Sequence, residues 1–187
     1  MITIVSGLPR SGTSLMMQML AAGGMTILTD GERRADEDNP RGYYEWERVK
    51  LLPHEPNLIA EAEGKVVKVI SQLLLALPPS YPYQVIFMER PLVEVVASQA
   101  EMIRRRGTAG PPLAREQMMS ALQVHLNQVM KWIKSAANIS FCPVSHHELL
   151  RDPAGIAQAV QRFLGLPLDA AAMAAQVDPV LYRQRQV

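Results

Sequence analysis

The chain has 187 residues, 48% hydrophobic and 20% charged, with a formal net charge of +1. Domains commonly run ~100–200 residues, so this length predicts one domain, residues 1–187, able to bury a sizeable core. The near-neutral balance and the single cysteine, Cys142, argue against a nucleic-acid or membrane footprint, an intrachain disulfide and a cysteine-based zinc site.

In chain order, Met1–Ser6 is apolar enough for a buried strand. Gly7 to Ser14 follows as a glycine-bounded turn. Thr13 or Ser14 is expected to cap a helix that runs to about Ala22 and stops at Gly23-Gly24. Thr26–Leu28 suggests a short strand. Thr29 to Gly42 is polar, dense in charge and marked by Asn39-Pro40, so it reads as a loop. Tyr44–Leu52 and Pro56–Ala62 read as short helices, and Lys65–Ile70 as a β-branched strand. Leu73–Leu77 reads as helical and is stopped by Pro78-Pro79. Gln84–Met88 is the next strand. Pro91 then opens a helix to about Arg106. Gly107 to Pro112 is a breaker-rich loop, and Leu113–Ala136 a long helix. Ile139–Val144 is a strand, with Cys142 expected as a small buried residue. His146–Leu150 and Pro153–Leu164 are helices, the second capped by Gly165, and Ala170–Ala175 adds a turn or two. The tail from Asp178 is basic and irregular.

No segment reaches the ~18 apolar residues that span a bilayer. No charged leader precedes the first strand either. The expectation is a cytoplasmic, reducing location.

Strands alternate with helices throughout. That pattern predicts an α/β fold, a three-layer sandwich with a central, mainly parallel sheet flanked by helices, of the P-loop NTPase-like kind. Ligands of such sheets bind at the carboxyl ends of the strands, where the Gly7–Ser14 turn falls.

Gly7-Leu8-Pro9-Arg10-Ser11-Gly12-Thr13-Ser14 has the glycine spacing and terminal Ser of a Walker A loop, G-x-x-x-x-G-K-[ST]. Thr13 stands at the lysine position, and the basic residue comes earlier, at Arg10. A strand–turn–helix of this type aims backbone N–H groups and a positive helix end at one point, which suits a phosphate. A kinase or ATPase needs a cation on the β/γ-phosphates, and Thr13 offers none.

These residues resemble the 5′-phosphosulfate loop of the sulfotransferases that use 3′-phosphoadenylyl sulfate (PAPS), commonly P-[KR]-S-G-T-[TS]. Phe87-Met88-Glu89-Arg90-Pro91-Leu92-Val93-Glu94-Val95-Val96-Ala97-Ser98 is similar to the family's 3′-phosphate motif, R-[DN]-P-x-x-x-x-x-S. The residue between arginine and proline is missing here, while the Arg90-to-Ser98 spacing is kept. His147-Glu148-Leu149-Leu150-Arg151-Asp152-Pro153 with Phe163-Leu164-Gly165-Leu166-Pro167 resembles the family's Y-E-x-L-x-x-D-P…F-L-G-L stretch. The resemblance implies PAPS as donor substrate, with no metal required. Pro9, Arg10, Ser11, Gly12, Thr13 and Ser14 would bind its phosphosulfate, and Arg90 and Ser98 its 3′-phosphate. Arg183 and Arg185 would fold over that 3′-phosphate in place of the family's R-K-G loop, which is not found.

Sulfuryl transfer needs a base for the acceptor's proton and cations for the leaving phosphate. Arg10 supplies one cation. Lys68, at the end of the Val66–Ile70 strand, resembles the lysine that the family places there, while Lys65 is expected to face solvent. For the base, Gly31-Glu32-Arg33-Arg34 is similar to the G-E-x-x-R-like stretch of tyrosylprotein sulfotransferases. Glu32 is thus the first candidate and Glu45 the second, ahead of Asp30 and Asp36. His54, His125, His146 and His147 are read as structural, and the His146-His147 pair as no metal site. The sequence reading is therefore a PAPS-dependent sulfotransferase acting on a hydroxyl or amine of a small molecule or peptide, with no nucleic-acid or membrane partner. The alternatives are a kinase with an altered P-loop and a non-catalytic nucleotide-binding module.

Overall fold

The computed structural model describes residues 1–36, 39–106 and 115–178. The breaker-rich loop at 107–112 and the tail arginines Arg183 and Arg185 lie outside these described residues.

The chain begins with β1 (Ile2–Gly7), buried along its whole length. The helix α1 (Thr13–Ala22) and the short strand β2 (Ile27–Leu28) follow. Two 3₁₀ segments, Glu47–Leu51 and Pro56–Ala62, lead into β3 (Val66–Lys68). A third, Ser71–Ala76, precedes β4 (Tyr83–Glu89). Then come α2 (Leu92–Arg106), α3 (Arg115–Ser135) and β5 (Ile139–Ser145). The described chain closes with α4 (His146–Arg151), α5 (Pro153–Leu164) and α6 (Ala170–Ala174).

The strands form one sheet in the order β2-β3-β1-β4-β5, and every pairing is parallel. Parallel strands need crossovers that cover the faces. Here β1 and β4 bury alternate residues on opposite sides, as a period of two requires. Ile2, Ile4, Val85 and Phe87 join the 3₁₀ segments and α3 in one cluster, with Leu52, Ile59, Leu74 and Val129. Val5, Ile86 and Met88 join α1, α5 and α6 in the other, with Met16, Met19, Val160 and Met173. The α/β sandwich with a central parallel sheet is thus observed.

Several local expectations are corrected. The short helices read at 44–52, 56–62 and 73–77 are 3₁₀ helices, with bounds Glu47–Leu51, Pro56–Ala62 and Ser71–Ala76. They are short and edged by proline or extended backbone, and tight i→i+3 turns suit such pieces. Tyr44 has φ 54, a left-handed conformation that cannot begin a helix. The strand predicted over 65–70 is confined to Val66–Lys68, because Ile70 turns into the next segment. Cys142 is half-buried rather than buried. It sits on β5, an edge of the sheet. Burial still pushes its thiol pKa up.

From β1 the chain runs to β2 and β3 on one side, then to β4 and β5 on the other. The loop after β1 therefore stands at the topological switch point, where sheets of this kind hold their ligands.

Candidate functional site

The loop leaves β1 at Gly7, with φ 147, and enters α1 at Gly12, with φ 100. A Cβ on Gly7 would lie 2.4 Å from Ser11 Oγ and 2.7 Å from the Met88 carbonyl. One on Gly12 would lie 2.6 Å from His146 Cδ2. Backbone sign and close packing both require glycine at these two places. Gly12, not Thr13 or Ser14, is the cap of α1, and it makes no side-chain cap bond. Ser14 Oγ instead lies 3.4 Å from the Tyr43 carbonyl, to which it donates. The first-turn amides of α1 thus receive no acceptor from a cap side chain, and such a helix end suits an anion.

The loop is held by α2 and the end of β4. Arg10, itself at φ 76, donates from Nε to Ser98 Oγ at 3.0 Å. Arg90 donates from Nη1 to the Arg10 carbonyl at 3.0 Å. Gln99 Nε2 donates to the Pro9 carbonyl at 3.2 Å. Arg90 Nε meets Glu94 Oε2 at 2.8 Å, with only 8% and 2% of these two side chains exposed. The other oxygen of Glu94 lies 2.8 Å from His147 Nε2.

A second group closes the opposite wall. Lys68 Nζ donates to the Tyr43 carbonyl at 3.0 Å, to Ser14 Oγ at 3.1 Å and to Glu45 Oε1 at 3.4 Å. Burial pushes the Lys68 pKa down, while the Glu45 carboxylate works the other way. Arg33 Nη1 reaches both Glu45 oxygens, at 2.9 and 3.0 Å. Its guanidinium stacks on the Tyr43 ring, 3.4 Å from the centroid. Tyr43 donates its hydroxyl to Asp36 Oδ1 at 2.7 Å. Thr29 Oγ1 donates to the Glu45 carbonyl at 2.7 Å, which pins the loop to the strand end.

Between the walls lies a cavity of about 390 Å³. Of the residues singled out in the sequence, Pro9, Arg10, Gly12, Thr13, Ser14, Lys68, Arg90 and Ser98 line it. Ser11 is buried behind the loop, and its Oγ has no hydrogen-bond partner among the described residues. Glu32 is exposed and does not line the cavity. Its amide donates to Asp30 Oδ1 at 3.1 Å, so it belongs to a surface turn. The geometry brings Glu45, the second carboxylate of the sequence reading, into the cavity instead. Asp30 and Asp36 serve the loop itself, accepting from the Glu47 amide and from Tyr43.

The histidines divide. His54 is exposed. His125 Nε2 lies 2.9 Å from Ser71 Oγ, away from the cavity lining, and burial lowers its pKa. His146 is buried, lines the cavity and packs on Gly12. Burial, aided by the nearby Arg90 charge, pushes its pKa down to about 4, so its imidazole is neutral at pH 7. Among the described residues no group of three His, Cys, Asp or Glu side chains is arranged to hold a metal ion. No described helix is long and apolar enough to cross a membrane.

Sequence reasoning did not single out Arg33, Tyr43, Glu94 or the packing of His146 as parts of this site. One of them carried a signal. Glu94 stands four residues after Arg90, in the first turn of α2, a spacing that pairs opposite charges. Arg33 and Tyr43 reach the site only through the course of an irregular loop.

Fold and site together define a parallel α/β sheet with a glycine-bounded strand–helix loop and a lined cavity at its switch point. The fold is that of the sulfotransferases. The chain is similar to the "Sulfotransferase Domain from the Curacin Biosynthetic Pathway", at 14% identity and TM-score 0.52, over 100% of this chain and 78% of that one. It is similar also to sulfotransferase STF1 from Mycobacterium tuberculosis H37Rv, at 17% identity and TM-score 0.53, over 94% and 70%. No protein-family model and no curated protein matches the sequence.

Proposed function

We propose that the protein is a sulfotransferase that moves a sulfonate from PAPS to a hydroxyl or amine of a small molecule or peptide. The observation that carries this reading is the convergence of Arg10, Ser98 and Arg90 at the ends of β1 and β4. A Walker lysine is absent there, and a second cationic group stands beside the loop, as a donor with phosphates at both ends requires. The sulfotransferase fold supports the same reading.

On this reading the loop amides and Arg10 hold the 5′-phosphosulfate, and Arg90 with Ser98 holds the 3′-phosphate. The acceptor enters beside Lys68 and Glu45. Glu45, oriented by Arg33 Nη1 on both its oxygens, takes the acceptor's proton as general base. The acceptor oxygen or nitrogen forms its bond to sulfur while the bond from sulfur to the bridging phosphate oxygen breaks. The electron pair of that bond leaves with adenosine 3′,5′-bisphosphate, and Arg10 and Lys68 meet the charge as it builds. The step draws its cations from the chain and calls for no metal. A cytoplasmic location belongs to the same proposal.

The test is transfer from PAPS labelled in its sulfonate to a panel of alcohols, phenols, amines and tyrosyl peptides. Labelled acceptor is expected with the wild-type chain and not with Arg10→Ala. Phosphoryl transfer from ATP to the same panel, with none from PAPS, would overturn the reading.

A further inference from the structure

We infer that Glu94 is a positioning residue of the phosphate site, acting on the loop through Arg90. The inference rests on the donor reading given above. Glu94 does not line the cavity, and its side chain is 2% exposed. A carboxylate buried this far persists only when its oxygens are paired. One oxygen takes Arg90 Nε and the other lies against His147 Nε2, each at 2.8 Å. These partners follow the ends of two neighbouring strands, β4 and β5. Glu94 thus clips both strand ends to the first turn of α2.

The guanidinium is planar and rigid, so fixing its Nε fixes the direction of its other donors. With Nε on Glu94, Nη1 points at the Arg10 carbonyl at 3.0 Å. Arg10 holds φ 76, which a non-glycine residue keeps only under restraint from its surroundings. Its side chain in turn reaches Ser98 at 3.0 Å. Ser98 stands one helical turn beyond Glu94 on α2, on the same face. One buried carboxylate therefore sets the plane of Arg90, supports the backbone of Arg10 and shares a helix face with the hydroxyl that receives the Arg10 side chain. The site is shaped before a ligand arrives, which spares reorganisation on binding.

Calorimetry tests this, with adenosine 3′,5′-bisphosphate and adenosine 5′-phosphate as probes. Glu94→Ala should weaken the bisphosphate ~10-fold or more, the scale seen when outer-shell partners of bound metals are removed. It should weaken the 5′-phosphate much less. Glu94→Gln, which still accepts from Arg90 Nε, should recover part of the loss and serves if the alanine variant fails to fold. In an Arg90→Ala background either change should add little. In the ligand-free protein, the Arg10 and Gly12 amide resonances should move in the same direction in Glu94→Gln and Arg90→Ala. Wild-type affinity in the Glu94 variants, or losses that simply add to that of Arg90→Ala, overturns the inference. Should the wild-type chain bind neither nucleotide, the donor reading fails. The amide resonances then decide the role of Glu94 alone, against it if they stay in place and for it if they move.

Discussion

The loop wall of the cavity hangs on β1 and β4, two adjacent parallel strands in continuous register from Ile2–Tyr83 to Gly7–Met88. The far wall hangs on irregular chain between β2 and the first 3₁₀ segment, pinned at Thr29 and Glu45. In the loop wall, side chains of α2 and Arg90 grip backbone carbonyls. In the far wall, Thr29 and Lys68 grip the Glu45 and Tyr43 carbonyls, but charged side chains also grip one another, with Glu45 shared by Arg33 and Lys68. Backbone grips survive many substitutions, because the carbonyl stays whatever the residue. Side-chain grips vanish with either partner. The far wall therefore depends on the Arg33–Glu45–Lys68 charges, whereas two grips of the loop wall each depend on a single side chain.

Three substitutions separate the walls in their effect on the rate, from the largest expected effect to the smallest. Arg10→Ala removes the fixed charge of the loop wall, and sulfonate transfer should fall about 10³-fold, as when a transition-state donor is lost. Steady-state rates with labelled PAPS check this, and a loss below tenfold would move the charge role elsewhere. Glu45→Gln should lower kcat about 10²-fold, the lower end for a lost general base. Glu32→Gln, on the surface turn, should leave the rate within about twofold. The reverse pattern would restore Glu32 as the base and place the far wall in a non-reactive arrangement.

Protonation of His146 tests how tightly the loop wall packs. Its imidazole titrates at about 4 in the folded chain against 6.5 unfolded. Between these values the unfolded chain binds more protons. Stability should therefore hold above pH 6.5 and fall by about 3 kcal/mol as the pH drops to about 4. Urea unfolding at pH 4.5 and 7.5 measures this, and His146→Gln should flatten the difference. An unchanged slope would mean that the ring is solvated rather than packed on Gly12. Gly12→Ala should cost about 1–3 kcal/mol, because it strains a positive φ and drives a methyl against that ring. A melt matching wild type would show that the loop yields.

The loop wall was legible in the sequence for a physical reason. Tight turns between a strand and a helix demand glycine at set places, and charged residues at strand ends face the ligand edge. Arg10 could therefore be singled out from the turn itself, Arg90 and Ser98 were singled out by resemblance to the sulfotransferase 3′-phosphate motif, and all three line the cavity. Lys68 was singled out near the end of its strand by resemblance to the lysine that sulfotransferases place there, and it is the last residue of β3. The far wall was legible only in part. A polar loop has no period, so nothing local says that Arg33 will stack on Tyr43 or that Glu45, rather than Glu32, will turn inward. Glu94 was missed because its spacing from Arg90 reads equally as a surface ion pair, and only the packing of α2 buries it. The 3₁₀ segments were read as short helices without their type, because apolar residues in short runs fit both the 3₁₀ and the α form.

The account turns on the loop wall being a site for a 3′,5′-bisphosphate nucleotide rather than for a nucleoside triphosphate. Calorimetric titration with adenosine 3′,5′-bisphosphate in the absence of metal, set beside ATP with and without magnesium, tests this most directly. Micromolar binding of the bisphosphate without metal, and none of ATP, is the expected result. Tight, magnesium-dependent ATP binding with no response to the bisphosphate would contradict it.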